Sequence, residues 1–325
     1  LSFPFNFYAA AFAGAFAVSL LGLPLWRRWC VRTNLVDDPG HRKIHSTPVP
    51  LAGGFAVLTG ILVPLLAGVV LLKLGLVKFS SANLIVHGVH RRAGELAVLA
   101  LGAVAITVLG WLDDRHELKA LPKFLGQLVI AIAVAVACKR ITLFVPSATF
   151  SYAVTILWVL TVINAFNFMD NMNGLCAGVG ALGALLFALI AAGNGEYLVA
   201  LTGLLMAGAL AGFLPWNFPQ ARAFLGDAGS HLVGYLLAVM AILPHFYTKL
   251  NPHPLAVLSP LLVLAVPLLD LAQVSIYRTL HRRPFWLGDT NHLSHRLTRA
   301  GLSRQNAVLV LWLVTAGIGL IAFWL

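Results

Sequence analysis

Apolar residues run along this chain in long stretches, and short polar segments between them hold nearly all the charge. A hydrophobic stretch of about 17–25 residues spans a bilayer as a helix. By that measure the pattern predicts about ten spans, near 5–25, 51–72, 95–112, 121–138, 150–168, 175–193, 197–214, 229–246, 255–277 and 305–325. The start of the fifth is diffuse. No internal repeat or low-complexity linker divides them, so residues 1–325 read as one all-α domain, a polytopic integral membrane helix bundle. The first run has no basic n-region and its positive charges follow it, the pattern of a retained span rather than a cleaved signal.

Composition agrees with that picture. The chain is 60% hydrophobic and 10% charged, against about 25% charged in an average soluble domain. The formal net charge of +11 would suggest nucleic acid in a soluble protein. Here the basic residues lie between apolar runs, which points to topology, membrane lipids and anionic substrates, and to no nucleic acid. Alternate loops split the Lys and Arg residues fifteen against seven. The richer set, 26–50, 113–123, 169–174, 215–228 and 278–304, is therefore expected in the cytoplasm, with both termini outside. Asp37, Asp38, Asp113, Asp114, Glu117, Asp170, Asp227 and Asp289 fall on the same side, although the positive-inside rule does not require it. Cys30, Cys138 and Cys176 lie far apart and give neither a metal spacing nor a disulfide framework.

Candidate chemistry collects in five stretches. The run 96–112 ends on Asp113 and Asp114, where a helix macrodipole is already negative. Either these acids are solvated at the start of a loop, or a basic side chain or metal ion offsets them. In the first loop Arg42, Lys43 and His45 form a compact basic cluster suited to phosphate, or else a positive-inside anchor. Gly53 and Gly54 then allow the next helix to begin in close approach to other backbone. Lys123 and Gln127, spaced i,i+4, share one helix face, where Lys123 either snorkels to the headgroups or holds a lipid phosphate. Asn164, Asn167 and Asp170 recur every three residues and make one polar stripe at a membrane boundary, more than helix association needs.

The remaining two stretches are a glycine-hinged loop and a basic segment. In the loop 222–231, RAFLGDAGSH, Asp227 lies near a helix N-terminus, either as a cap or beside backbone N–H groups open to an anion. The last polar segment holds Arg278, Arg282, Arg283, His292, His295, Arg296, Arg299 and Arg304. His292 and His295 have a zinc-like spacing without cysteine or glutamate partners, so a clamp for diphosphate fits better.

Five motifs in order, RKIHSTPVPLAGG, LGWLDD, NAFNFMDNMNG, FLGDAGS and PFWLGDTNHLSHRL, resemble the polyprenyl-phosphate N-acetylhexosamine-1-phosphate transferase family over nearly the whole chain. Such enzymes, of the glycosyltransferase 4 type, transfer a sugar-1-phosphate from a UDP-N-acetylhexosamine to a polyprenyl phosphate such as undecaprenyl phosphate, releasing UMP. The motifs are similar to the GlcNAc-1-phosphate branch, which begins surface glycans such as O-antigen of lipopolysaccharide or teichoic acid. They look less like the muramoyl-pentapeptide branch of peptidoglycan synthesis, whose corresponding segment is a run of histidines. Two positions depart from the pattern: Ser294 replaces a histidine of HLHHRL, and DGxDG is DNMNG, with Asn171 and Asn173.

The resemblance implies a bacterial cytoplasmic (inner) membrane enzyme with a cytoplasmic-face active site, Mg2+ (or Mn2+) as cofactor, and pairing into homodimers as an option. It implies metal on Asp227 with Asp114 or Asp170 nearby, and Asp113 as base or positioning group for the lipid phosphate. It also implies that Lys43, His45, Lys123, His292, His295 and Arg296 hold phosphates. Asn164 and Asn167 line the site, and Asn173 and Phe224 meet the uracil, Asn173 by its amide and Phe224 by stacking. A secondary transporter would concentrate its acids near the midplane in inverted repeats, and neither is visible.

Overall fold

A computed structural model of the chain describes residues 3–38, 47–75, 92–138, 140–143, 145–244, 246, 254–284 and 290–324. Its described helices are α1 (Phe5–Arg32), α2 (Gly53–Lys73), α3 (Ala93–His116), α4 (Ala120–Ala137), α5 (Ala148–Met169), α6 (Leu175–Gly193), α7 (Tyr197–Asn217), α8 (Gly226–Met240), α9 (Ser259–Val263), α10 (Ala265–Leu280), α11 (Leu293–Arg299) and α12 (Arg304–Trp324). The described strands are two residues each: β1 (Val36–Asp37) pairs antiparallel with β2 (Val49–Pro50). The all-α membrane bundle expected from the apolar runs is therefore what the chain forms.

The apolar pattern predicts about ten spans, and the described residues come close to that number. Among the described residues eight helices, α1 to α7 and α12, are long and apolar enough to cross a membrane, and a bent pair makes a ninth. That pair, Pro254–Val263 and Ala265–Leu280, turns by 68° where one continuous span was expected. Pro267 is the cause, because it has no N–H to give the carbonyl four residues back, on Val263, the last residue of α9. The expected span 229–246 is α8, which has only 15 residues. At about 1.5 Å per residue it falls well short of an ~30 Å hydrocarbon core.

The brevity of α8 follows from its place. It is wrapped by α2, α3, α5 and α6, and Leu232, Val233, Tyr235, Leu237 and Ala238 are fully buried. A largely apolar helix belongs inside a bundle as readily as in lipid, and periodicity alone does not separate the two. The lipid-facing surface lies elsewhere: Leu21, Leu25, Leu101, Val129, Leu157 and Leu313 are exposed large apolar side chains on the surrounding helices. The only polar atom of the Tyr235 side chain, its hydroxyl, donates to the Leu99 carbonyl at 3.2 Å, as a buried phenol requires. The central helix carries Asp227 in its first turn, so the packing of the whole bundle fixes where that carboxylate stands.

Candidate active site

Three helix ends meet at the start of α8. Gly226 has φ of +71°, a conformation that suits glycine, and a Cβ there would lie 2.8 Å from the Asp114 carboxylate. Gly54 at the start of α2 and Gly110 in α3 press on the same turn. A Cβ on Gly54 would come within 2.5 Å of the Gly229 nitrogen, and one on Gly110 within 2.4 Å of the Asp227 carbonyl oxygen. The close approach expected for the Gly53–Gly54 pair is present. The loop entering α8 is stitched to β2 and α2, with Phe224 N–H donating to the Pro50 carbonyl at 2.9 Å and Gly53 N–H to the Phe224 carbonyl at 2.9 Å.

These contacts bring Asp113, Asp114, Lys123, Asn167, Asp170 and Asp227 together. Lys123 Nζ stands 2.6 Å from Asp113 Oδ2 and 3.0 Å from Asp227 Oδ2. Asn167 Nδ2 donates to Asp227 Oδ1 at 2.6 Å and to Ser230 Oγ at 3.1 Å. The Asp114 carboxylate accepts from the backbone N–H of Asp227 at 2.8 Å and of Ala228 at 3.0 Å. Burial, then the Asp227 charge, push the Asp170 carboxyl up to about 7, against the lowering influence of the nearby Gly226 N–H. Asp113 uses its other oxygen to take the Leu118 N–H at 2.9 Å, just past the left-handed residue Glu117 that ends α3.

Three open readings are now decided. Lys123 points between two carboxylates, so it does not snorkel to the headgroups. The free N–H groups at the start of α8 are not left for an external anion, because Asp114 from another helix takes two of them. Nor are the acids at the end of α3 simply solvated.

The polar column continues downward. Asn164, expected to line the site, instead donates to Gln127 Oε1 at 2.8 Å, and Gln127 Nε2 meets His231 Nε2 at 3.3 Å. Asn164 therefore braces α5 against α4 one turn below the carboxylates. Asn173 donates to the Pro219 carbonyl at 3.3 Å, and both Asn173 and Phe224 are half-buried. Lys43 and His45 lie outside the described residues.

His292, His295 and Arg296 sit on or beside α11, which docks against the turn that carries Asp170. Ser294 Oγ donates to Asn171 Oδ1 at 2.6 Å, so the two departures from the family pattern touch each other. The His292 ring meets Phe168 edge-on at 5.9 Å, and Arg278 lies over the same Phe168 ring at 4.8 Å. His292 Nδ1 is 2.7 Å from Asp270 Oδ2. Burial, then the neighbouring His292, holds the His295 imidazole below its ordinary range. Arg296 is exposed on α11.

Sequence reasoning passed over Ser230, His231 and Asp270. His231 follows Asp227 by one turn of the same helix, which is a usable signal. Asp270 is an acid inside an apolar run, which marks a functional position by default. Among the described residues no group of three or more His, Cys, Asp or Glu is arranged as a ready metal site. The three cysteines are free.

Residues 96–245 match the sequence profile described as "Glycosyl transferase family 4". The chain is 31% identical over 92% of its length, and 81% of the relative's, to "Probable undecaprenyl-phosphate N-acetylglucosaminyl 1-phosphate transferase" of Bacillus subtilis (strain 168). It is 33% identical to "Decaprenyl-phosphate N-acetylglucosaminephosphotransferase" of Mycobacterium leprae (strain TN), over 97% of this chain and 80% of that one. It is 27% identical to "Undecaprenyl-phosphate alpha-N-acetylglucosaminyl 1-phosphate transferase" of Yersinia pestis, over 94% of this chain and 81% of that one. With four aspartates gathered at one helix start and relatives aligned along almost its whole length, the chain belongs to glycosyl transferase family 4.

Proposed function

We propose that this protein transfers GlcNAc-1-phosphate from UDP-GlcNAc to undecaprenyl phosphate and releases UMP, as the first membrane step of a cell-surface glycan. The observation that carries the reading is the convergence of Asp113, Asp114, Asp170 and Asp227 on the start of α8, with Lys123 among them. An oxygen of the lipid phosphate attacks the β-phosphorus of the sugar nucleotide. The bond from that phosphorus to the bridging oxygen breaks, and UMP leaves with the electron pair. Both reactants are anions, so charge neutralisation dominates the barrier.

The acid cluster fits Mg2+ in its chemistry. Four carboxylates face one lysine, all donors are hard oxygens, and Mg2+ commonly takes one or two carboxylates and completes its shell with water and substrate phosphates. Asp227 with Asp114 or Asp170 would hold it; the ion would neutralise the diphosphate. Asp114 keeps lone pairs beyond those given to the two backbone N–H groups. Lys123 serves the acceptor phosphate, and Asp113 orients Lys123. His292, His295 and Arg296 serve the diphosphate. Asn173, whose Oδ1 has no partner among the described residues, and Phe224 serve the uracil. The loop charges favour a cytoplasmic site with both termini outside.

The test is UMP release by detergent-purified protein with undecaprenyl phosphate and UDP-GlcNAc, compared with UDP-GalNAc and UDP-MurNAc-pentapeptide. Release that needs both the lipid and Mg2+ supports the reading, and Asp227→Asn should remove the Mg2+ response. Turnover of another donor alone moves the substrate assignment. Failure of folded protein with every donor overturns it.

A further inference from the structure

Asp270 lies outside the aspartate cluster, on α10, and is 1% exposed in the interior of the bundle. A carboxylate in that place requires compensation, and both its oxygens are committed to one short segment. Oδ2 meets His292 Nδ1 at 2.7 Å, and Oδ1 accepts the N–H of Leu293, the first residue of α11, at 2.6 Å. One side chain thus caps α11 and fixes the ring that precedes it. The segment is held from other directions as well: Gln273 Nε2 donates to the Asn291 carbonyl at 2.8 Å, Ser294 reaches Asn171, and Phe168 closes on the imidazole. His292 itself is 6% exposed, and its Nε2, on the far side of the ring from Asp270, has no hydrogen-bond partner among the described residues.

We propose that Asp270 is a positioning residue for the donor substrate: it orients His292 so that Nε2 meets a phosphate oxygen of UDP-GlcNAc. This rests on the function proposed above. When the phosphate binds, the ring lies between two anions, the Asp270 carboxylate at Nδ1 and the phosphate at Nε2. The same arrangement orients histidines in metal and hydrolase sites, where a carboxylate on one ring nitrogen sets what the other can do.

The substitution Asp270→Asn separates charge from shape. The amide oxygen still accepts the Leu293 N–H, and the amide nitrogen donates to Nδ1 of a neutral ring, whose Nε2–H remains a donor. Packing and capping survive, but a charge-assisted bond becomes a neutral one. A difference of that kind corresponds to about tenfold in affinity.

The experiment is UDP-GlcNAc binding by calorimetry, with UMP release and thermal melting, on wild type, Asp270→Asn, His292→Gln and the double variant. Asp270→Asn should weaken UDP-GlcNAc binding about tenfold at an unchanged melting temperature and raise KM more than it lowers kcat. In the His292→Gln background it should add nothing. Wild-type affinity in Asp270→Asn, full additivity in the double variant, or a loss that only follows the melting temperature would overturn the inference. If wild type binds UDP-GlcNAc but releases no UMP, the transferase reading fails while the binding comparison still decides the role of Asp270.

Discussion

Gly110→Ala tests whether the placement of Asp227 depends on a backbone contact. In α3, a Cβ on Gly110 would stand 2.4 Å from the Asp227 carbonyl oxygen and 2.5 Å from both the nitrogen and the Cα of Ala228. Ordinary contact begins near 3.4 Å, so α3 and the start of α8 must part by about 1 Å. Those are backbone atoms and cannot turn aside as a side-chain end would. Displacement by ~1 Å of a catalytic group costs on the order of 100-fold in rate. Stability should respond less, because overpacking costs about 1–3 kcal/mol and replacing a mid-helix glycine returns about 1 kcal/mol. The assay is kcat/KM for UMP release beside thermal melting in detergent. Gly68→Ala in α2 is the control, since a Cβ there meets nothing within 4 Å. Turnover of Gly110→Ala within twofold of wild type would refute the claim that this crossing sets the site.

Lys123→Met keeps much of the side-chain volume and leaves Asp113 and Asp227 without their shared cation. Breaking a buried pair costs about 3–5 kcal/mol, and the low end is expected because the Asp227 side chain is 32% exposed. Melting should fall and should recover when Asp113→Asn is added; an unchanged melting temperature in the single variant counts against the pairing. Asp170, with its carboxyl raised to about 7, binds more protons folded than unfolded between about pH 4 and 7, so its contribution to stability declines as pH rises through that window. Measured in EDTA, Asp170→Asn should flatten the fall in melting temperature from pH 5 to 8, and superimposable curves would sink the assignment. Ser294→Ala removes the link to Asn171 at 2.6 Å, so residues 290–299 should exchange amide hydrogens faster. Unchanged exchange would show that the other contacts hold α11 by themselves.

Much of the fold was legible because long apolar runs leave few alternatives. The site was legible in part for the same reason, since acids and amides at the ends of such runs are costly and stand out. The stripe of Asn164, Asn167 and Asp170 was read from spacing, yet its members divide: Asn167 and Asp170 face the start of α8, and Asn164 turns to Gln127. Spacing gives the face of a helix but not the neighbour that fills it. The pairing of Asp114 with the N–H groups of Asp227 and Ala228 joins residues more than a hundred positions apart, and no local pattern encodes it. The length of α8 was misread because apolar sequence does not distinguish lipid from protein as the surrounding medium.

The charges at the three helix ends explain why they need one another. Asp113 and Asp114 stand at the negative end of α3, and Lys123 stands in the first turn, the positive end, of α4. Each placement is unfavourable on its own helix. Together Lys123 offsets Asp113 and Asp227, and the exposed N–H groups of α8 offset Asp114. The consequence concerns the substrates. A lysine ammonium has three N–H donors, and those of Lys123 face Asp113, Asp227 and, at 3.5 Å, Asn167 Oδ1. A phosphate arriving at this lysine therefore meets a cation already saturated by carboxylates. It gains little until some of that negative charge is neutralised elsewhere. On the function proposed above, the Mg2+ that would bind these carboxylates would also free Lys123 to meet the acceptor phosphate.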